Sequence, residues 1–258
     1  MQQSPSRPDD HVLGIDIGGS FIKAALVDLS DGHLVSKTIR QPTPQPGGPE
    51  QVRAAIADVM HTLDWKGALG VGYPGVVKRG ICLSAANVSS EWLNLNITGL
   101  LAPLTGAPVA VLNDADAAGL AEMQFGAGRA ERGPDGRVVL LLTLGTGIGT
   151  AFFYRGQLFP NTEFGHIELD GVDAEINAAA SVRTRQNLSW PDWSRQLNHY
   201  LDAMEKLVSP DLIILGGGIS ENADHFLPRL SVKAELRVAE LGNTAGLIGA
   251  AMATRTAI

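Results

Sequence analysis

Two glycine turns constrain this chain more than any other feature. Asp16-Ile-Gly-Gly-Ser20 and Leu144-Gly-Thr-Gly-Ile148 each follow an apolar run that reads as a buried strand, Val12 to Ile17 and Val138 to Leu144. A second apolar run follows each turn, Ile22 to Val27 and Ile148 to Tyr154, and ends near a small turn pair, Asp31-Gly32 or Arg155-Gly156. Strand, glycine turn, strand, turn thus occurs twice, which predicts two similar halves facing one another. Glycines beside small hydroxyl residues let backbone N–H groups come close to an anion. Two such loops suit one phosphate chain held between them and point to phosphoryl transfer in a cleft.

Composition narrows the partners. The 258 residues suffice for one large domain or two ordinary ones. A net charge of -7 argues against broad nucleic-acid binding. It leaves a phosphorylated substrate open, because backbone amides bind anions without formal charge. Cys82 is the single cysteine, so an internal disulfide and a cysteine-built zinc site are both excluded. Residues 1–10 are polar and read as a frayed tail without a signal-peptide core. No apolar stretch is long enough for a membrane span, and a soluble, cytoplasmic protein with no membrane partner is expected.

Strands and helices alternate along the chain, which predicts an α/β class. Three strands are expected from Val12 to Ile39, a loop over Gln41 to Pro49, and a helix from Glu50 to Leu63 with Val52, Ile56, Val59 and Leu63 at helical spacing. Short strands follow at Ala68 to Gly72 and Val109 to Leu112, then an Ala-rich helix from about Asp116 to Phe125. Arg129 to Gly136 reads as a charged surface loop and a hinge candidate. A helix is expected over Trp193 to Val208, a strand over Leu212 to Leu215, and a small-residue helix over Ala245 to Thr254. The polar residues of interest cluster just after strands, where open α/β sheets bind ligands.

Six segments carry chemistry. In Asp16-Ile17-Gly18-Gly19-Ser20-Phe21-Ile22-Lys23, the aspartate can hold Mg²⁺ directly or through water, while Ser20 and Lys23 can reach phosphate oxygens. An ordinary hairpin with a solvent-facing lysine is the alternative. The pattern is not a P-loop, since G-x-x-x-x-G-K-[ST] is absent. Gly145, Thr146 and Gly147 form the second loop, and their alternate glycines would weaken a strand with no other gain. In Asn113-Asp114-Ala115-Asp116 a carboxylate can act as general base towards a hydroxyl, or Asp114 or Asp116 can cap the helix. Glu163, His166 and Glu168, with Glu175 shortly after, can bind several hydroxyls, with a metal site as the other chemistry. Asn87 and the segment around Trp92 form a polar loop in which a buried tryptophan serves as anchor. Gly216, Gly217 and Gly218 after a strand let a nucleotide or phosphate chain pass close to backbone.

Taken together these motifs resemble the ROK sugar kinases of the hexokinase–actin superfamily, from about Leu13 to Ala253. Asn113-Asp114-Ala115-Asp116-Ala117-Ala118-Gly119, Glu163-Phe164-Gly165-His166-Ile167-Glu168 and Asp173-Ala174-Glu175 are most similar to the branch that uses polyphosphate to phosphorylate glucose. The resemblance implies a two-lobed actin-like/hexokinase (ribonuclease H-like) fold with a central cleft. It divides the chain into a lobe over 11–113 and a lobe over 114–258, with the last helix able to return to the first. It makes Asp114 the base for the sugar 6-hydroxyl, and Asn87, Asn113, Glu163, His166 and Glu175 the sugar ligands. Asp16 to Lys23 and Gly145 to Gly147 become the two phosphate loops, with Gly216 to Gly218 bordering the adenosine or outer phosphates. The implied partners are glucose or mannose, Mg²⁺, and polyphosphate or ATP as donor, in a homodimer. The family's cysteine-rich zinc motif is missing between Ile167 and Ser181, so structural zinc is not expected. No helix-turn-helix extension precedes Val12, which discounts DNA binding. Lys66, Lys78, Arg79, Arg129, Arg132, Arg183 and Arg185 are the candidate cations for a polyphosphate path.

Overall fold

The computed structural model describes residues 10–85, 88–133 and 136–255. The chain forms two compact units and passes between them after Ala121 and again after Asn243. The candidate tail lies outside the described residues except for Asp10, whose carboxylate pairs with Arg255 at 2.9 Å.

The first unit opens with a hairpin, β1 (His11–Ile17) and β2 (Phe21–Asp28), closed by the first glycine turn. β3 (Ile39–Pro42), α1 (Pro49–Thr62) and β4 (Leu69–Tyr73) follow, then a small ribbon of β5 (Val77–Lys78) and β6 (Ile81–Cys82). α2 (Ile97–Thr105), β7 (Val109–Asn113) and α3 (Asp114–Phe125) lead to the first crossing. The sheet order is β3-β2-β1-β4-β7, with β1, β4 and β7 parallel. Every residue of β4 is buried, as a strand covered on both faces requires. Trp92 is fully buried, and its indole N–H donates to the Gly47 carbonyl at 2.8 Å, the anchor read from sequence.

The second unit repeats this plan. β8 (Val138–Leu144) and β9 (Ile148–Tyr154) form a hairpin around the second glycine turn, and β10 (Gln157–Phe159) extends it. A ribbon of β11 (Glu168–Leu169) and β12 (Val172–Asp173) precedes α4 (Glu175–Ala178), α5 (Ala180–Arg185) and α6 (Trp190–Val208). β13 (Leu212–Gly216), α7 (Ala223–Phe226) and β14 (Glu235–Val238) complete it. The sheet order is β10-β9-β8-β13-β14, with β8, β13 and β14 parallel. Strand for strand this matches the first unit. α6 packs Trp193, Leu197, Tyr200, Leu201 and Met204 into the core, a stripe at helical spacing.

α8 (Ala245–Ala253) belongs to the first unit and packs on β1, β4 and β7. The contact is backbone on backbone. A Cβ at Gly14 would collide with the Leu247 carbonyl, and one at Gly70 with the Ala250 carbonyl. In the second unit the buried Glu122 accepts from the N–H groups of Ala127, Glu240 and Leu241 at 2.9, 3.1 and 2.7 Å. One carboxylate thereby ties together segments beside both crossings of the chain.

The structure corrects the sequence reading at several places, and β3 starts at Ile39 and runs into the segment from Gln41 that is expected as a loop. α3 starts at Asp114 rather than Asp116, and α6 at Trp190 rather than Trp193, because Ser189 caps it with Pro191 in the first turn. Arg129 to Gly136 is not simply a surface loop. It begins as a 3₁₀ turn, and its Glu131 is buried in ion pairs with Arg137 and Arg237, each at 2.9 Å. Among the described residues no helix is long and apolar enough to cross a membrane.

Gly70→Ala is expected to destabilise the protein by roughly 1–3 kcal/mol, the usual cost of forcing extra volume into a closed contact. Urea unfolding of the variant beside the wild type measures this, and an unchanged midpoint would refute the packing role of Gly70.

Candidate active site

In the first unit, β1 delivers Asp16 to the edge of the first glycine turn. Asp16 pairs across the hairpin with Lys23, whose Nζ lies 3.5 Å from Oδ2. Burial pushes the Asp16 carboxyl above its usual range, while Lys23 pulls the other way. Its side chain remains partly exposed. One carboxylate beside glycines fits Mg²⁺, which keeps several waters and takes one or two protein carboxylates plus phosphate oxygens. The turn itself is clamped by Thr43, a residue the sequence reading missed. Its hydroxyl donates to the Gly18 carbonyl at 2.5 Å and its N–H to the Ser20 carbonyl at 3.0 Å. The Gly18 N–H closes the turn onto Phe21 at 2.9 Å. The amides of Gly19 and Ser20 then form the polar face of the turn.

At the carboxyl end of β7, Asn113 and Asp114 start α3. The cap is Asn113, not Asp114 or Asp116: its Oδ1 accepts from the N–H groups of Ala115 and Asp116 at 2.8 and 3.0 Å. Its amide nitrogen donates to the Gly75 carbonyl at 3.2 Å, and the residue is buried. Asp114 is less enclosed, and its Oδ1 accepts from the Ala115 N–H at 2.8 Å. The first turn of a helix favours a carboxylate. Asn87 lies outside the described residues.

The second unit clamps its turn in the same way. Ser181 donates its N–H to the Gly145 carbonyl at 2.9 Å and its hydroxyl to the Thr146 carbonyl at 2.7 Å. The Gly145 N–H closes the turn onto Gly147 at 3.0 Å. Gly216 pairs with Thr143, and Gly217, at φ +83°, lies against the Leu144 backbone, where a Cβ would come within 2.5 Å. Only glycine fits there, so Gly216 to Gly218 and Gly145 to Gly147 sit side by side.

The same unit brings Glu163, His166 and Glu175 together. His166 Nδ1 bonds Asp173 at 2.7 Å and lies 3.9 Å from Glu175, while its Nε2 lies 3.9 Å from Glu163. The hydrogen bond to Asp173 is the main reason the imidazole is held above its usual range. Asp173 is thus an orienting partner, legible only as part of the Asp173-Ala174-Glu175 motif. Burial pushes the Glu163 carboxyl up, and its Oε1 is buried with no hydrogen-bond partner among the described residues. Such an orphan acceptor calls for a donor that is not protein. Glu175 Oε2 accepts from the Ile148 N–H at 3.1 Å and rests against Gly147, so this carboxylate touches the second turn directly. Glu168 lies exposed in β11. Of the candidate cations, Arg183 lies flat over Trp190 at 3.6 Å and Arg129 is 3.8 Å from Glu240.

Asp173→Asn is expected to lower the His166 pKa. The folded value is raised, so the stabilisation from its proton is full below the unfolded value near ~6.5 and fades as pH rises through the folded one. NMR titration of the His166 ring should show the drop, and an unchanged midpoint would discard Asp173 as its partner.

Known proteins resemble this chain in sequence and fold. The ROK family model matches residues 12–185. Polyphosphate glucokinase of Mycobacterium tuberculosis is 48% identical over 245 residues, which cover 95% of this chain and 91% of that protein. Inorganic polyphosphate/ATP-glucomannokinase from Arthrobacter sp. strain KM superposes with a TM-score of 0.89 at 46% identity, covering 95% of this chain and 98% of that one. The ROK family glucokinase of Streptomyces griseus, in complex with glucose and AMPPNP, gives 0.80 at 25% identity, with 95% and 100% covered. The fold is the mixed α/β, actin-like/hexokinase fold of these kinases. By its matched residues and its relatives, the chain belongs to the ROK family.

Proposed function

We propose that this protein transfers a phosphoryl group from inorganic polyphosphate, or from ATP, to the 6-hydroxyl of glucose. The observation that carries the reading is the 48% identity to a polyphosphate glucokinase over 95% of the chain. Mannose joins glucose in the proposal because the Arthrobacter relative is a glucomannokinase. A cytoplasmic homodimer, as the resemblance implies, completes it.

Asp114 takes the proton as the 6-hydroxyl oxygen bonds to the terminal phosphorus and the bridging P–O bond breaks, leaving polyphosphate one unit shorter, or ADP, and Asn113 fixes the helix end that presents Asp114. Glu163, His166 and Glu175 bind sugar hydroxyls, the orphan Oε1 of Glu163 accepting one of them. Asn87 joins them by its place in the motif. The amides of Gly19, Ser20, Thr146 and Gly147 hold donor phosphates, with Lys23 nearby and Gly216 to Gly218 bordering the outer end. Asp16 would hold Mg²⁺ through water, and the ion, when bound, neutralises charge on the transferring group. A strictly ATP-dependent reaction is the second reading, favoured by the likeness to the Streptomyces griseus glucokinase solved with AMPPNP.

Asp114→Asn should lower kcat by about 10²–10⁴, the usual weight of a general base, and leave glucose binding within a few-fold. Activity near wild type would remove Asp114 from the mechanism. Turnover of glucose with purified polyphosphate, set against ATP, decides between the two donors. Ser181→Ala removes one clamp hydrogen bond and should raise the donor KM roughly two- to tenfold. A matching rise in the glucose KM would instead mean a general loss of structure.

A further inference from the structure

A cation stands beside the first glycine turn that its motif does not account for. β1, β2 and β3 pair so that Asp16 is opposite Lys23, and Lys23 is opposite Arg40. Paired residues share a face, so these three side chains form a row across the sheet. Strands lie about 4.8 Å apart, which puts the Cα of Arg40 roughly 10 Å from that of Asp16. Phe21, the first residue of β2 after the turn, is on the same face, two positions before Lys23. α8 covers this face at β1, where Gly246 borders Asp16, and Arg40 beyond it is exposed.

The two cations of the row differ in their partners. Lys23 is engaged with Asp16. Arg40 makes no ion pair among the described residues, yet its side chain is held. Its guanidinium lies over the Phe21 ring, 3.6 Å from the centroid. Phe21 is also the residue whose carbonyl accepts from the Gly18 N–H to close the turn. A side chain from the third strand is thus drawn back to the turn end of the hairpin. Stacking uses the flat face of a guanidinium and leaves the N–H groups at its edge available, in a fork that matches phosphate oxygens. The cations read from sequence all lie elsewhere in the chain.

We propose that Arg40 is a donor-specificity residue, which binds a phosphate of polyphosphate next to those held by the first turn. The inference rests on the reading of polyphosphate as a donor. Polyphosphate is charged on every unit, so it continues as an anion past the turn. ATP ends in a neutral nucleoside, for which a further cation offers no partner. Arg40 therefore favours the inorganic chain over the nucleotide.

Calorimetric titration with long-chain polyphosphate, without glucose so that no sugar is phosphorylated, provides the test, with MgATP titrated in parallel. Arg40→Gln alters an exposed residue and should leave the fold intact. It is expected to weaken polyphosphate binding about tenfold, the usual weight of one charged hydrogen bond, with ATP binding within about twofold of wild type. Lys37→Ala removes a charge from the exposed segment before β3 and is expected to leave both donors unaffected. Unchanged polyphosphate affinity in Arg40→Gln, an equal loss for ATP, or an equal loss in Lys37→Ala would each overturn the role of Arg40. Wild-type protein that binds ATP but not polyphosphate would instead remove the reading beneath it, and the inference with it.

Discussion

Each glycine turn is held by two of its own carbonyl oxygens, and the donor side proposed for the site rests on that constraint. A glycine turn left to itself samples many conformations, and ordering it at the moment of binding costs affinity. Thr43 and Ser181 prevent this with the same pair of contacts, one from a hydroxyl and one from an N–H. With the carbonyls engaged, the remaining amides form the face that meets an anion. Preorganised donors of this kind need no rearrangement when charge develops on the transferring group.

Rigid elements stand behind the turns. α8 lies directly on β1 and β4 because Gly14 and Gly70 carry no side chain, and Gly246 of the same helix borders the Asp16 carboxylate. In the second unit, Glu175 joins the group formed with Glu163 and His166 to the second turn through Ile148. Glu175, proposed to bind sugar, is thus one hydrogen bond away from the loop proposed to hold the donor. His166, held by Asp173, completes a charged group whose members are fixed by one another.

Much of this was legible in the sequence, and the reasons are local. The hairpins, the strand ends and the burial of Trp92 follow from apolar runs broken by glycine, and these signals span only a few residues. What escaped was non-local. Thr43 clamps a turn 25 positions earlier, and Ser181 reaches one 35 positions away. Nothing beside either residue marks the partner. The start of α3 was missed because asparagine and aspartate cap helices equally well and the segment offers three of them in a row of four, so only the strand end decides that the Asn113 oxygen reaches both amides. Glu131 looked solvated because its neighbours are charged, and only the fold brings Arg237 to it.

The repeated strand order has a consequence for ancestry. β3-β2-β1-β4-β7 and β10-β9-β8-β13-β14 are one plan used twice, and the two hairpins align turn on turn. In that alignment Asp16 falls opposite Thr143, Gly18 opposite Gly145, and Ser20 opposite Gly147. A doubled ancestral unit would begin with two equal turns. Here one copy has the acid and the lysine, while the other has threonines, Thr143 and Thr150, and no charge at the matching places. The two hairpins thus share one strand plan yet carry complementary rather than redundant chemistry.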